Sequence, residues 1–420
     1  MTRRGATSER GVSAERGATS ERGVSAERGA TSERGVSAER GVSAERGVSA
    51  ERGVLAETGR RLLEEGLVAR TWGNLSLRVS DSHFLITPSG RNYETLEGGH
   101  MALVSLSDLS WEGEYKPSSE KELHARVYRA RSDVAAVVHT HQSAASALAA
   151  AREGFVPPQE YQRRILGREV PCVPYALPTT RKLAKAVERA VSAAGPDIRT
   201  FLLSNHGTVC LGGDMDTAYE AACTLEEAAD EYLATRHGGG AAAKAGAAGA
   251  GTVASAGGAS GSATATTSSS GGGPTSTVEP PRIQRLVQQL QTAEPERHFL
   301  FVQGRWVRAA AEGGKPVKPH LDDLAQIIGP NLPIADPDAP RAVERIRRVL
   351  RRRGAVLLKN HGCLCAAGNR ADVEAVAMVA EKGCRAAVET ALAGKKCGIS
   401  TPEAVLMRLI YLATYRKKAG

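Results

Sequence analysis

The chain has 420 residues, 41% of them apolar, and a formal charge of +9, enough length and apolar content for two folded domains. Glycine is abundant at 45 residues, but 21 of these fall within 4–57 and 238–280, so the excess belongs to spacers and not to a core. No run of about 18 apolar residues occurs, which excludes a transmembrane helix, and the N-terminus lacks the apolar core of a signal peptide.

Residues 4–57 hold nine six-residue units, eight of them RGATSE or RGVSAE and the last RGVLAE. Six residues advance a helix by about 240°, so the repeat builds no lasting apolar face. Its glycine costs about 1 kcal/mol of helix propensity per unit. A charge-balanced tail, disordered or transiently helical, is expected over 1–52. The last unit runs into ETGRRLLEEGLVAR, which predicts an amphipathic helix over Leu55–Val68. Further on, helical patterns at Lys121–Ala130, Thr180–Ala194 and Thr217–Thr235 alternate with extended ones at Asn74–Val79, His83–Thr87, Ala135–His141 and Thr200–Leu211. That mixture predicts a layered α/β domain over 53–237. A linker rich in Gly, Ala, Ser and Thr is read at 238–280, followed by a second domain at 281–420. Seven cysteines without a C-x-x-C pair point to a reducing compartment, and a cytoplasmic location is expected.

Charge is unevenly divided. Residues 58–237 carry 20 basic and 23 acidic residues, whereas 281–420 carry 24 and 13. The basic stretch RAVERIRRVLRRR reads as an amphipathic helix with Val343, Ile346, Val349 and Leu350 turned inward. A solvated arginine face, or packing against the acidic first domain, is preferred to nucleic-acid binding.

Four pieces of the first domain carry chemistry. VVHTH ends an apolar strand, and residues i and i+2 of a strand share a face, so His139 and His141 can grip one cation. In SNHGTVCLG two strands meet around Asn205-His206-Gly207, where His206 can supply a third nitrogen; the commoner state of a turn histidine is a bond to backbone. In KPSSEKELHARVYRA, Glu120 opens a helix with Ser119 as its expected N-cap. Hydroxyls and N–H groups at such a terminus suit a phosphate. Gly73-Asn74 and Ser89-Gly90 border short strands, where small residues let backbone amides approach an anion.

In order, GNLSLRV, LITPSG, PSSE, VVHTH and the NHG turn before a long helix resemble the class II aldolase/adducin family, over about residues 53–236. The resemblance implies a three-layer α/β/α sandwich around a largely antiparallel sheet. It further implies a divalent cation, usually zinc, held by His139, His141 and His206, with Glu120 as acid/base. Asn74, Ser89, Gly90, Ser118 and Ser119 fall where such aldolases bind substrate phosphate, and Tyr161 lies near the place of a tyrosine proton donor from a neighbouring subunit. The implied partners are a small sugar phosphate and further copies of the chain in a homo-oligomer, with neither membrane nor nucleic acid. A metal-dependent lyase that cleaves a ketose 1-phosphate to dihydroxyacetone phosphate and an aldehyde is the leading expectation, favoured by Glu120 after the two serines. A sugar-phosphate 4-epimerase or dehydratase of the family, and a non-catalytic adducin-like assembly module, are the alternatives.

GAVLLKNHGCLCAAGNRADVEAVAMVAEKGCRAAVETALAG, within the second domain, parallels TFLLSNHGTVCLGGDMDTAYEAACTLEEAADEYLATR in the first. A divergent second copy of the fold is therefore expected at 281–420. It lacks an H-x-H and a Ser-Ser-Glu, so it is read as a catalytically silent partner that helps complete the first site. Cys363 and Cys365 beside His361 are read as small apolar strand residues and not as a metal site.

Overall fold

The computed structural model describes residues 33–68, 72–237 and 280–414, with side chains from Val48 onward. Of the tail expected over 1–52, residues 1–32 lie outside the described residues, as do residues 238–279 of the linker expected over 238–280. The chain divides between Gly47 and Val48, and the account below concerns residues from Val48.

The N-terminal lobe runs, in chain order, through α1 (Glu33–Glu64), β1 (Asn74–Arg78), β2 (His83–Ile86), β3 (Ala102–Ser105), β4 (Trp111–Glu112), α2 (Lys121–Ala130), β5 (Ala136–Thr140) and α3 (Ser143–Ala150). It continues with α4 (Glu160–Leu166), β6 (Cys172–Val173), α5 (Arg181–Ala193), β7 (Thr200–Leu203), β8 (Thr208–Gly212) and α6 (Met215–His237). Helix α1 begins inside the hexapeptide repeat and well before Leu55. The Ala, Glu and Arg of each unit favour helix, and the single glycine does not interrupt it.

Eight strands form one sheet in the order β4-β3-β2-β1-β5-β8-β7-β6, antiparallel throughout except for the β6–β7 pair. Period-two alternation sends Leu85, Val138, Leu202 and Cys210 into one core, under α1, α3, α4 and α6. Phe84, Ile86, Val137, Phe201, Val209 and Leu211 enter the opposite core, under α2 and α5. The lobe is thus the expected three-layer sandwich. His139 has the parity of Val137, so its ring faces the α2 side, where Glu120 lies.

Two features were hidden from periodicity. Helix α3 is buried on every side from Ala144 to Ala150, so it has no polar stripe. The expected capping by Ser119 is replaced: Glu120 is the N-cap residue, and the Ser118 hydroxyl accepts its N–H at 3.2 Å.

The C-terminal lobe comprises α7 (Pro281–Ala293), β9 (His298–Val302), α8 (Arg305–Glu312), α9 (Asp322–Ile327), β10 (Ile334–Ala335), α10 (Ala342–Arg353), β11 (Ala355–Leu358), β12 (Gly362–Ala367), α11 (Arg370–Leu392) and α12 (Thr401–Thr414). Its sheet, β10-β11-β12-β9, mirrors β6-β7-β8-β5 in order and in strand direction. Isolated bridges Phe155–Val170 and Val317–Leu332 stand 162 positions apart at both ends. Asn205 and Asn360 share the left-handed backbone, at φ 59° and 64°. Glu226 accepts the N–H groups of Ala144 and Ala145 at 2.6 and 3.0 Å, as Glu381 accepts those of Trp306 and Val307 at 3.0 and 3.1 Å. The described C-terminal lobe has no counterpart of β1–β4, so the expected whole second fold is not found among the described residues.

Among the described residues, no arginine of α10 forms an ion pair with the N-terminal lobe. Arg347 and Arg351 instead meet Glu294 of α7. The lobes meet elsewhere: α11 packs on α3, Arg385 pairs with Asp230, and Lys382 donates to the His141 carbonyl at 2.9 Å.

Candidate metal centre and substrate pocket

Three imidazoles converge at the C-terminal end of β5. His139 and His141 arrive from alternate positions at the strand's end. His206 arrives from the β7–β8 turn, whose tightness rests on the left-handed Asn205 and on Gly207. A Cβ on Gly207 would sit 2.4 Å from the Thr140 carbonyl and 2.9 Å from the His141 ring. The three histidines offer ligand atoms within 4.8 Å of one another, and among the described residues they are the one such group.

Glu120 joins them from the start of α2. Its Oε2 lies 3.2 Å from His139 Nε2 and its Oε1 lies 3.2 Å from His206 Nε2. The outer nitrogens settle the tautomers. His139 Nδ1 donates to the Thr208 carbonyl at 2.7 Å, and His206 Nδ1 donates to Asp322 Oδ2 at 2.9 Å. In the neutral rings each Nε2 turns a lone pair inward, and His139 Nε2 stands 3.1 Å from His141 Nε2. Lone pairs and a carboxylate crowded together in a buried space are reconciled by a cation, so this donor set fits a divalent metal. The buried Nδ1 of His141 has no protein partner.

Without a cation, the charges sort themselves by proton. Burial alone would raise the Glu120 pKa, but His139 and His206 outweigh it and hold the carboxyl well below its ordinary value. Burial would lower His206, yet Asp322 and Glu120 lift it to about 10. His141 is pushed well below the usual imidazole range by burial and by the other two histidines.

A pocket opens beside this cluster. Its N-terminal-lobe wall includes Asn74, Ser89, Gly90, Ser118, Ser119 and Glu120, and its other wall includes Asp322, Gln326 and Tyr411 of the C-terminal lobe. All five residues expected to bind phosphate are thus brought together. The N–H groups of Ser89 and Ser118 are committed to Lys116 and Thr87 carbonyls, and the Ser118 hydroxyl oxygen accepts the Glu120 N–H. Asn74 has a further task, donating to Glu120 Oε2 at 3.0 Å.

Tyr161 is not brought to the pocket. It is exposed on α4, where its hydroxyl donates to Glu227 at 2.6 Å. Three residues escaped sequence reasoning altogether. His124 donates from Nε2 to Asn74 Oδ1 and accepts the Ser76 hydroxyl at Nδ1, at 2.6 Å; Ser76 accepts from Tyr128 at 2.6 Å. Burial drops the His124 pKa to about 3, so its ring is neutral. The spacing of Glu120, His124 and Tyr128, four residues apart along one helix face, was the available signal. His361 does not join Cys363 and Cys365, which are wholly buried in the C-terminal lobe's core.

The family profile described as class II aldolase and adducin N-terminal domain matches residues 54–233. A 5-deoxy-D-ribulose 1-phosphate aldolase from Bacillus thuringiensis is 32% identical over 180 residues, 42% of this chain and 82% of that protein. An L-fuculose phosphate aldolase from Escherichia coli is 33% identical, over 40% of this chain and 76% of that protein. A 3-oxo-tetronate 4-phosphate decarboxylase from Haemophilus influenzae is 33% identical, over 41% and 81%.

Proposed function

This chain belongs to the class II aldolase and adducin family, and from that premise we propose that it is a divalent-metal-dependent lyase cleaving a ketose 1-phosphate to dihydroxyacetone phosphate and an aldehyde. The observation that carries the reading is Glu120, 3.2 Å from both His139 and His206, at the edge of a pocket walled by serines and glycine. His139, His141 and His206 would hold the ion, zinc in this reading. The bound cation would polarise the substrate carbonyl as a Lewis acid.

The remaining steps belong to the protein. Asn74, Ser89, Gly90, Ser118 and Ser119 anchor the phosphate, which fixes the scissile C–C bond over the cluster. Glu120, kept ionised, accepts the proton of the hydroxyl two carbons from the carbonyl. As that O–H breaks, the new aldehyde C=O forms and the C–C bond electrons pass to the carbonyl carbon's side as an enolate. Glu120 then returns that proton to the enolate carbon, which completes dihydroxyacetone phosphate and restores the carboxylate. Asn74 keeps Glu120 aimed throughout.

A decarboxylase makes the same kind of enolate with carbon dioxide leaving in place of the aldehyde, and the decarboxylase relative supports it as second reading. A panel of ketose 1-phosphates and 3-oxo acid phosphates, with dihydroxyacetone phosphate and carbon dioxide measured separately, distinguishes the two. Absence of both products with every substrate would refute the lyase reading.

The C-terminal lobe is, in this proposal, a shortened copy that has lost the chemistry. Phe301 pairs with Leu364 as His139 pairs with Val209, so an aromatic ring stands where the first ligand would be.

A further inference from the structure

The C-terminal lobe reaches the metal centre through one carboxylate. Asp322 is the first residue of α9, fully buried, with Oδ2 2.9 Å from His206 Nδ1 and 2.8 Å from the Gln326 amide that donates to it. Its backbone N–H donates to the Asn205 carbonyl at 3.0 Å. The Asn205 amide in turn donates to the carbonyls of His320 and Cys397, each at 2.8 Å. The turn that presents His206 is thus held on three sides by the other lobe, and its histidine is oriented by that lobe's aspartate.

An acidic residue at the start of a helix needs no special purpose. The bland reading fails here on burial. At the same 162-position spacing, Asp322 and Asp323 match Glu160 and Tyr161 of α4, and those two face solvent. In the C-terminal lobe the corresponding positions hold two buried aspartates: Asp322 reaches His206 of the other lobe, and Asp323 meets Lys382 of its own lobe, which itself donates to the His141 carbonyl. Asp322 Oδ1 has no protein partner. A carboxylate is costly to bury, and the N–H of His206 is the group that its buried position serves.

We propose that Asp322 is a positioning residue of the metal centre, supplied in cis by the otherwise silent lobe. It fixes the His206 ring and its tautomer, with Nδ1 protonated and Nε2 turned to the cation. One active site is then shared by two lobes of a single chain. The inference rests on the metal-centre reading above.

The test is zinc affinity of the full chain, measured by competition with a chromophoric chelator, together with the visible spectrum of the Co2+ form. Asp322→Asn, which keeps the side chain's shape, is expected to weaken zinc by about 10- to 100-fold and to alter the Co2+ spectrum, with the melting temperature of the zinc-free protein little changed. Asp322→Glu is expected to recover most of the affinity. Affinity within about threefold of wild type in Asp322→Asn, with an unchanged Co2+ spectrum, overturns the proposal, as does a loss that Asp322→Glu fails to relieve at all. If Asp322→Asn does not fold, Asp322→Glu decides: retained zinc affinity and Co2+ spectrum support the carboxylate's role, and their loss overturns it. Failure of the metal reading looks different: wild type and His139→Ala would then hold equally little zinc.

Discussion

Asn74 Nδ2 donates to Glu120 Oε2 at 3.0 Å, and this bond ties the histidine cluster to a buried chain of side chains behind it. Tyr128 donates to Ser76, Ser76 to His124, and His124 to Asn74. Every donor in the series has an acceptor, so the Asn74 amide can face only one way, with its NH2 on the carboxylate. Loss of a hydrogen bond to a charged group costs about 1.5–3 kcal/mol. Asn74→Ala is therefore expected to lower kcat/KM by about 10- to 100-fold while zinc content stays near wild type. Steady-state kinetics with metal analysis checks it.

The proton state of the zinc-free site gives a pH prediction. His206 is raised to about 10, so the stabilisation it contributes is complete below its ordinary value of 6.5 and fades as pH climbs towards 10. Glu120 is lowered, so its contribution holds above 4.5 and fades as pH falls below that value. Zinc-free protein should melt progressively lower between pH 6.5 and 10. His206→Gln should flatten that decline. Thermal unfolding across the range measures both.

Gly207 is a steric requirement of the centre. A methyl group there meets the Thr140 carbonyl at 2.4 Å and the His141 ring at 2.9 Å, and backbone cannot yield cheaply. Gly207→Ala should cost about 1–3 kcal/mol in stability and displace His141, weakening zinc. Chemical denaturation and zinc titration read the two effects.

Tyrosine chemistry separates two positions. Tyr411 of α12 lines the pocket, whereas Tyr161 stands exposed on α4 with its hydroxyl on Glu227. Tyr411→Phe is expected to lower kcat by at least about tenfold, and Tyr161→Phe to have the smaller effect. Parallel kinetics on the two variants decides.

The sequence made local things legible. His139, His141, His206 and Glu120 were readable because strand parity, a turn and a helix start each act over a few residues. Strands β1, β2, β5, β7 and β8 followed for the same reason, whereas β3, β4 and β6 were not anticipated and the antiparallel sheet was implied only by the family resemblance. What could not be read were contacts between distant segments. Asp322, Gln326 and Tyr411 enter the pocket only through docking of the lobes, which no periodicity encodes. His124 looked like an ordinary helix residue until α2 packed its face on Asn74 and Ser76 of β1.

The most direct measurement of the central claim is dihydroxyacetone phosphate release from a ketose 1-phosphate by the full chain, stripped with chelator and then titrated with Zn2+. The account predicts negligible release from the stripped protein and recovery that saturates at one zinc per chain, with Glu120→Ala binding zinc yet releasing at least about 100-fold less product. Release that is indifferent to chelation and reloading, or unchanged in Glu120→Ala, would contradict it.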